Sequence, residues 1–250
     1  MTAESVNCNQ RLRRSYTAAT EFDKAPRVFQ TPRVSRGLFI TFEGSEGCGK
    51  STQVKRLTAR LEREGIQFLL TREPGGTPIG EKIRDLLQFA PEGVAMQSET
   101  ELLLFEASRS QLVRELIEPA LEAGKIVISD RFFDSTTVYQ GAARKLEPKF
   151  VEQVNRFAIG KCVPDLTFLL DLDVATSRNR MLRRVRPVGE VDRMEQQPIE
   201  FYERVCAAYR ELAAREKDRV RLIDGSRSAD EVETEIWQQL REKFPQRFNF

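Results

Sequence analysis

From Gly37 onward the chain alternates between two hydrophobic rhythms. Short unbroken apolar runs at 37–43 (GLFITFE), 66–70 (IQFLL), 125–129 (KIVIS), 165–172 (DLTFLLDL) and 219–224 (RVRLID) read as buried strands. Between the first two, Val54, Leu57 and Leu61 recur at three and four residues, which predicts an amphipathic helix closed by Gly65. Thr77 and Pro78 supply a cap and a first-turn proline for another helix. Ser98 with Glu101, and Ser228 with Glu231, match the capping box at two further helix starts. Strand–helix alternation of this kind predicts an α/β domain with a parallel five-stranded sheet and helices on both faces. Ligands of such sheets gather at the carboxyl ends of the strands.

Residues 1–36 break the pattern. They hold six arginines among scattered Ser and Thr, with no periodic apolar positions. No apolar core of a secretory signal is present, and Glu4, Glu21 and Asp23 weigh against an organelle presequence. The segment reads as a disordered N-terminal extension, leaving 37–250 as one domain. Forty basic residues against thirty-eight acidic ones give a net charge of +2, which points to neither nucleic acid nor membrane. No apolar run is long enough to span a bilayer. The four cysteines are scattered without metal-ligand spacing, and one lies in a glycine loop, which fits a reducing compartment and the cytoplasm. The chain has no histidine, so histidine-based acid–base catalysis and histidine metal sites are excluded.

The glycine loop follows the first strand. Gly44, Ser45, Glu46, Gly47, Cys48, Gly49, Lys50 and Ser51 match the phosphate-loop pattern, with Thr52 next in line. Strand, loop and helix in that order place backbone N–H groups and a helix N-terminus around phosphates. Lys50 then reaches the outer phosphates and the Ser51 hydroxyl is positioned for Mg²⁺. The fold expected is that of the P-loop NTPases, with a nucleoside triphosphate bound in the loop. Glu46 is anomalous there: a carboxylate inside a cradle for polyanions.

The loop alone does not separate kinases from switches or transporters. No guanine-reading N-K-x-D or transporter L-S-G-G-Q follows, but residues 177–195 carry Arg178, Arg180, Arg183, Arg184, Arg186 and Arg193. Such a run suits a solvated helix face, an RNA-binding patch, or a lid broken by Pro187 and Gly189 that brings cations onto a transferring phosphoryl group. Arginines supplied in that way are worth about 10³–10⁵ in rate. A phosphate acceptor is already largely ionised near neutrality and needs no base, which agrees with the missing histidine. A nucleoside monophosphate kinase fits best; a deoxynucleoside kinase, another nucleotide kinase and a nucleotide-dependent switch stay open.

Six segments in order, FEGSEGCGKST, TREPGGTPIGEKIR, LLLFEASRSQLV, SDRFFDSTTVYQG, PDLTFLLDLD and GEVDRMEQ, resemble the thymidylate kinase family from Gly37 to near the C-terminus. The resemblance implies transfer of the γ-phosphoryl of ATP to dTMP, giving dTDP and ADP, with Mg²⁺ and in a homodimer, without nucleic acid or membrane. It implies that Glu46 faces the acceptor's 3′-hydroxyl and that Arg72 and Arg131 grip its phosphate. Phe105 would stack on thymine, Arg109 donate to a thymine carbonyl, Thr136 and Gln140 meet the base edge, and Tyr139 lie under the deoxyribose. Asp130 would hold Mg²⁺ through water, with Ser51. Because Gly47, not an arginine, follows the loop acid, the chain resembles the subgroup whose lid supplies the catalytic cation, here Arg184 or Arg186, beside Lys50 and Arg131. Val138 stands where many members have alanine, and Val188 where an arginine can occur. By residue pattern alone, Arg109 on the apolar stripe of Phe105, Leu112 and Leu116 also reads as a core arginine paired with a carboxylate.

Overall fold

The structure, a computed structural model, describes residues 36–90, 95–183 and 192–248. The expected disordered extension up to residue 35, and the expected lid residues Arg184, Arg186 and Val188, lie outside the described residues.

In chain order the elements are β1 (Leu38–Glu43), α1 (Lys50–Arg63), β2 (Phe68–Arg72), α2 (Pro78–Gln88), α3 (Ser98–Leu112), α4 (Glu118–Glu122), β3 (Ile126–Asp130), α5 (Phe133–Thr136), α6 (Pro148–Ile159), β4 (Leu166–Asp171), α7 (Val174–Leu182), α8 (Ile199–Arg215), β5 (Val220–Asp224), α9 (Ala229–Lys243) and α10 (Pro245–Phe248). Wide, π-helical turns join α3 to α4 (Val113–Ile117) and follow α5 (Thr137–Ala143). All five strands are parallel, in the order β2-β3-β1-β4-β5.

β1 sits in the middle with both its faces buried, as expected for a strand covered on both sides. Leu38, Ile40 and Phe42 pack with Val54, Leu57 and Leu61 of α1 and with Ile236 and Leu240 of α9. Phe39 points to the other face, with Leu112, Val113 and Ile117. Each such side chain contributes about 1.5–3 kcal/mol by leaving water. The register pairs Phe42 with Asp130 on one side and with Phe168 on the other. The loop after β1 and the residues ending β3 therefore open side by side.

Two sequence expectations need correcting. β2 begins two residues later than the apolar run suggested and includes Thr71 and Arg72. It is an edge strand with Leu70 half exposed, so hydrophobicity does not mark its bounds. The Ser98–Glu101 capping box does not form: Gln97 is the cap residue, and Glu101 turns inward to Gln140, Arg144 and Arg193. The Ser228–Glu231 box does form, and Thr77 caps α2 by accepting from Gly80 N–H with Pro78 behind it. Arg36, last residue of the expected extension, is already tied to the body by Asp165 at 2.9 Å.

Candidate active site

The phosphate loop is built as its spacing requires. Gly44 and Gly49 have φ of 134° and 104°, and a Cβ on Gly44 would lie 2.4 Å from the Leu170 carbonyl oxygen. Only glycine fits there. Gly49 caps α1, whose first residue is Lys50. The Lys50 ammonium donates to the carbonyls of Gly44 and Ser45 at 3.0 and 2.8 Å, which centres its charge in the loop. The Ser51 hydroxyl donates to Asp130 Oδ2 at 2.9 Å, so the two residues expected at a metal are already adjacent. Ser45, Gly47, Cys48 and Thr52 complete the loop; Cys48 is buried in it, and Ser177 of α7 donates to the Glu46 carbonyl.

Glu46 is not a solvated loop residue. Its carboxylate accepts from Arg131 Nη2 at 2.6 Å and from the Tyr139 hydroxyl at 2.8 Å. Arg131 also donates to the Gly44 carbonyl at 3.1 Å and lies 5.2 Å from the centre of the Tyr139 ring. Its backbone is left-handed, with φ 73°, an uncommon state for a residue other than glycine. That turn is held from beneath by Glu43, a fully buried carboxylate at the end of β1. Glu43 accepts from Phe132 N–H at 2.8 Å, from the Ser135 hydroxyl at 2.6 Å and from the Tyr209 hydroxyl at 2.8 Å. Burial, and then the nearby charge of Asp134, raise the Glu43 carboxyl above its ordinary range. Burial likewise raises the Tyr139 phenol, which stays a hydrogen-bond donor to Glu46.

The opposite wall comes from β2 and α3. Glu101, Phe105 and Arg109 are spaced four residues apart and share one face of α3. Arg109, 1% exposed, donates to Glu73 Oε2 at 2.6 Å, to Glu106, to Thr136 Oγ1 at 3.0 Å and to Asn155 at 3.1 Å. Two carboxylates thus surround one guanidinium: Arg109 is a paired core arginine that also lines the cleft. Burial pushes Glu73 up to about 7 against the pull of Arg109. Arg72 lines the same cleft from the end of β2, paired with Glu81 at 2.8 Å.

One cleft of about 390 Å³ brings together Glu46, Lys50, Ser51, Arg72, Phe105, Arg109, Asp130, Arg131, Thr136, Tyr139 and Gln140. Every side chain expected at the acceptor and every described catalytic or metal candidate lies on it. A larger groove of about 710 Å³ lies elsewhere, between α6, α8 and the Thr137–Ala143 turns, and contains no phosphate-loop residue. Arg180, from the arginine run, also lines the cleft; the sequence did not single out Glu43, Tyr209, Arg84 and Asp192. Only Glu43 carried a signal, as a carboxylate ending an otherwise apolar strand.

A sequence model of the thymidylate kinase family matches residues 42–236. The chain is 48% identical to a thymidylate kinase of Halothermothrix orenii, over 82% of this chain and 97% of that one. It is 44% identical to a thymidylate kinase of Deinococcus radiodurans, over 84% and 99%. The crystal structure of thymidylate kinase from Ehrlichia chaffeensis superposes with a TM-score of 0.65 at 34% identity, over 82% of this chain and 99% of that chain. With phosphate loop, sheet order and cleft all in agreement, the chain belongs to the thymidylate kinase family.

Proposed function

We propose that this cleft transfers the γ-phosphoryl group of ATP to dTMP, giving dTDP and ADP for dTTP synthesis. The observation that carries the reading is the Glu46–Arg131–Tyr139 cluster. It turns the loop's carboxylate away from the triphosphate cradle and towards a second ligand on the far side of Arg131. Donor phosphates lie on the N–H groups of the loop with Lys50. The acceptor phosphate meets Arg131 and Arg72, its 3′-hydroxyl donates to Glu46, and its ring lies between Phe105 and the edge formed by Thr136 and Gln140. Base–aromatic stacking of this kind is worth about 1–3 kcal/mol. The acceptor phosphate is its own nucleophile, so the chain's task is alignment and charge neutralisation. Arg184 and Arg186 supply further cations to the group in transfer.

Mg²⁺ suits the donor set. Ser51 Oγ and Asp130 Oδ2 are hard oxygen donors 2.9 Å apart. Among the described residues no group of three or more His, Cys, Asp or Glu gathers, so phosphate oxygens and water would fill most of the coordination. Bound there, the ion would neutralise charge on the outer phosphates.

The catalytic domain spans residues 37–250 and works as a homodimer in the cytoplasm. Ile79 and Leu86 of α2, Leu103 of α3 and Phe157 of α6 are exposed on helices that pack side by side, which supports the dimer. Among the described residues no helix is long and apolar enough to cross a membrane.

If Arg72 and Arg131 serve a phosphate, the acceptor must carry one. ADP release in a coupled assay is expected with dTMP and not with thymidine at the same concentration. Turnover of thymidine at a comparable kcat/KM contradicts the acceptor assignment.

A further inference from the structure

We propose that Glu101 is a positioning residue that fixes the Gln140 side-chain amide with its oxygen towards the base, and so sets the preference for thymine over cytosine. The proposal rests on the dTMP reading above. Glu101 is 1% exposed, one turn before Phe105 and two before Arg109 on the same face of α3. Its Oε1 accepts from Gln140 Nε2 at 2.7 Å and, more weakly, from Arg144 Nε at 3.3 Å. Its Oε2 accepts from Arg144 at 3.2 Å and from Arg193. Burial would raise the Glu101 carboxyl, but Arg144, the Gln140 bond and Arg193 outweigh it and hold the group below its ordinary range.

An ionised carboxylate accepts and never donates. The Gln140 atom facing it must therefore be the NH₂ group. The amide is planar, so its oxygen is directed the other way. Gln140 lines the cleft, and among the described residues no donor reaches that oxygen. Arg109, also on the cleft, has only N–H groups to offer. A pyrimidine lying on Phe105 thus meets a donor from Arg109 and an acceptor from Gln140. Thymine presents the complement, a C4 carbonyl beside an N3–H. Cytosine presents the reverse, a C4 amino group beside a bare N3, and would set donor against donor and acceptor against acceptor. Sites that recognise a ligand by such polar contacts discriminate by leaving buried groups unpaired with the wrong one.

Glu101→Gln inverts the arrangement at its source. The new side chain satisfies Arg144 and Arg193 best with its amide oxygen, which turns its NH₂ towards Gln140. Gln140 must then rotate its own oxygen inward and show NH₂ to the base.

The experiment measures kcat/KM for dTMP and for dCMP in the wild-type protein, Glu101→Gln, Gln140→Met and the double variant. Glu101→Asp is included because it keeps the charge that both arginines need while withdrawing the carboxylate from Gln140. The dTMP/dCMP ratio is expected to narrow at least about tenfold in each single variant. In the double variant it should narrow no further than in Gln140→Met, because both changes act through one amide. A purely structural role for Glu101 would lower both acceptors alike and leave the ratio unchanged. An unchanged ratio in both Glu101 variants, while Gln140→Met narrows it, overturns the role of Glu101. An unchanged ratio in Gln140→Met overturns the base-reading contact and the proposal with it. A wild-type protein that uses neither acceptor contradicts instead the dTMP reading on which the proposal stands.

Discussion

Lys50→Ala is expected to lower kcat by at least about 10²–10³-fold with little change in the thermal midpoint. The scale is that of removing one pre-aimed donor from a developing charge. Lys50 is almost fully buried at the start of α1, and its ammonium lies at the loop's centre, 3.0 and 2.8 Å from two loop carbonyls. No other described lysine lines the cleft, and its arginines are engaged elsewhere: Arg131 with Glu46, Arg72 with Glu81, Arg84 with the Pro74 carbonyl and Arg180 with the Gly225 carbonyl. Steady-state kinetics with saturating dTMP, alongside thermal unfolding, checks this. A kcat within threefold of wild type would remove the phosphate-loop assignment.

Arg131→Met should fall most heavily on the acceptor. Truncating one partner of a buried, hydrogen-bonded charge pair costs about 2–5 kcal/mol, and each 1.4 kcal/mol is tenfold. A loss of about two to three orders of magnitude in kcat/KM for dTMP is expected. Two effects add. The acceptor phosphate loses its guanidinium, and Glu46 keeps its negative charge with only the Tyr139 hydroxyl to bind it. Methionine retains a β-carbon, so the left-handed backbone at this position is no more strained than before. The KM for ATP should move little, because Arg131 touches the donor side only through the Gly44 carbonyl. If the loss appears instead in the KM for ATP, the division of the cleft into donor and acceptor halves is wrong.

What could be read from the sequence follows from which interactions are local. The phosphate loop, α1 and the central strands were legible because buried strands are apolar on both faces and the loop needs glycine where φ is positive. β2 slipped by two residues because an edge strand is only half covered. The Ser98–Glu101 box failed for a different reason. The local bond to the helix start lost to a tertiary one, two arginines and an amide that only the fold brings to Glu101. The wide turns over Thr137–Ala143, which carry Tyr139 and Gln140, have no pattern that hydrophobic periodicity could reveal. Arg109 stayed ambiguous because the same side chain is a core ion-pair member and a cleft wall. Glu46 was an oddity until Arg131 and Tyr139, 85 and 93 residues away in the chain, were placed against it.

If a single cleft joins ATP to dTMP, dTMP is the acceptor it uses best. One coupled assay of ADP release, run on the purified chain with ATP, Mg²⁺ and each of dTMP, dUMP, dCMP, dAMP and dGMP, tests it most directly. The highest kcat/KM is expected for dTMP, with dUMP about 10–200-fold lower for want of one methyl group and the purine acceptors lower still. Equal use of dUMP and dTMP, or a purine monophosphate as the preferred acceptor, would contradict it.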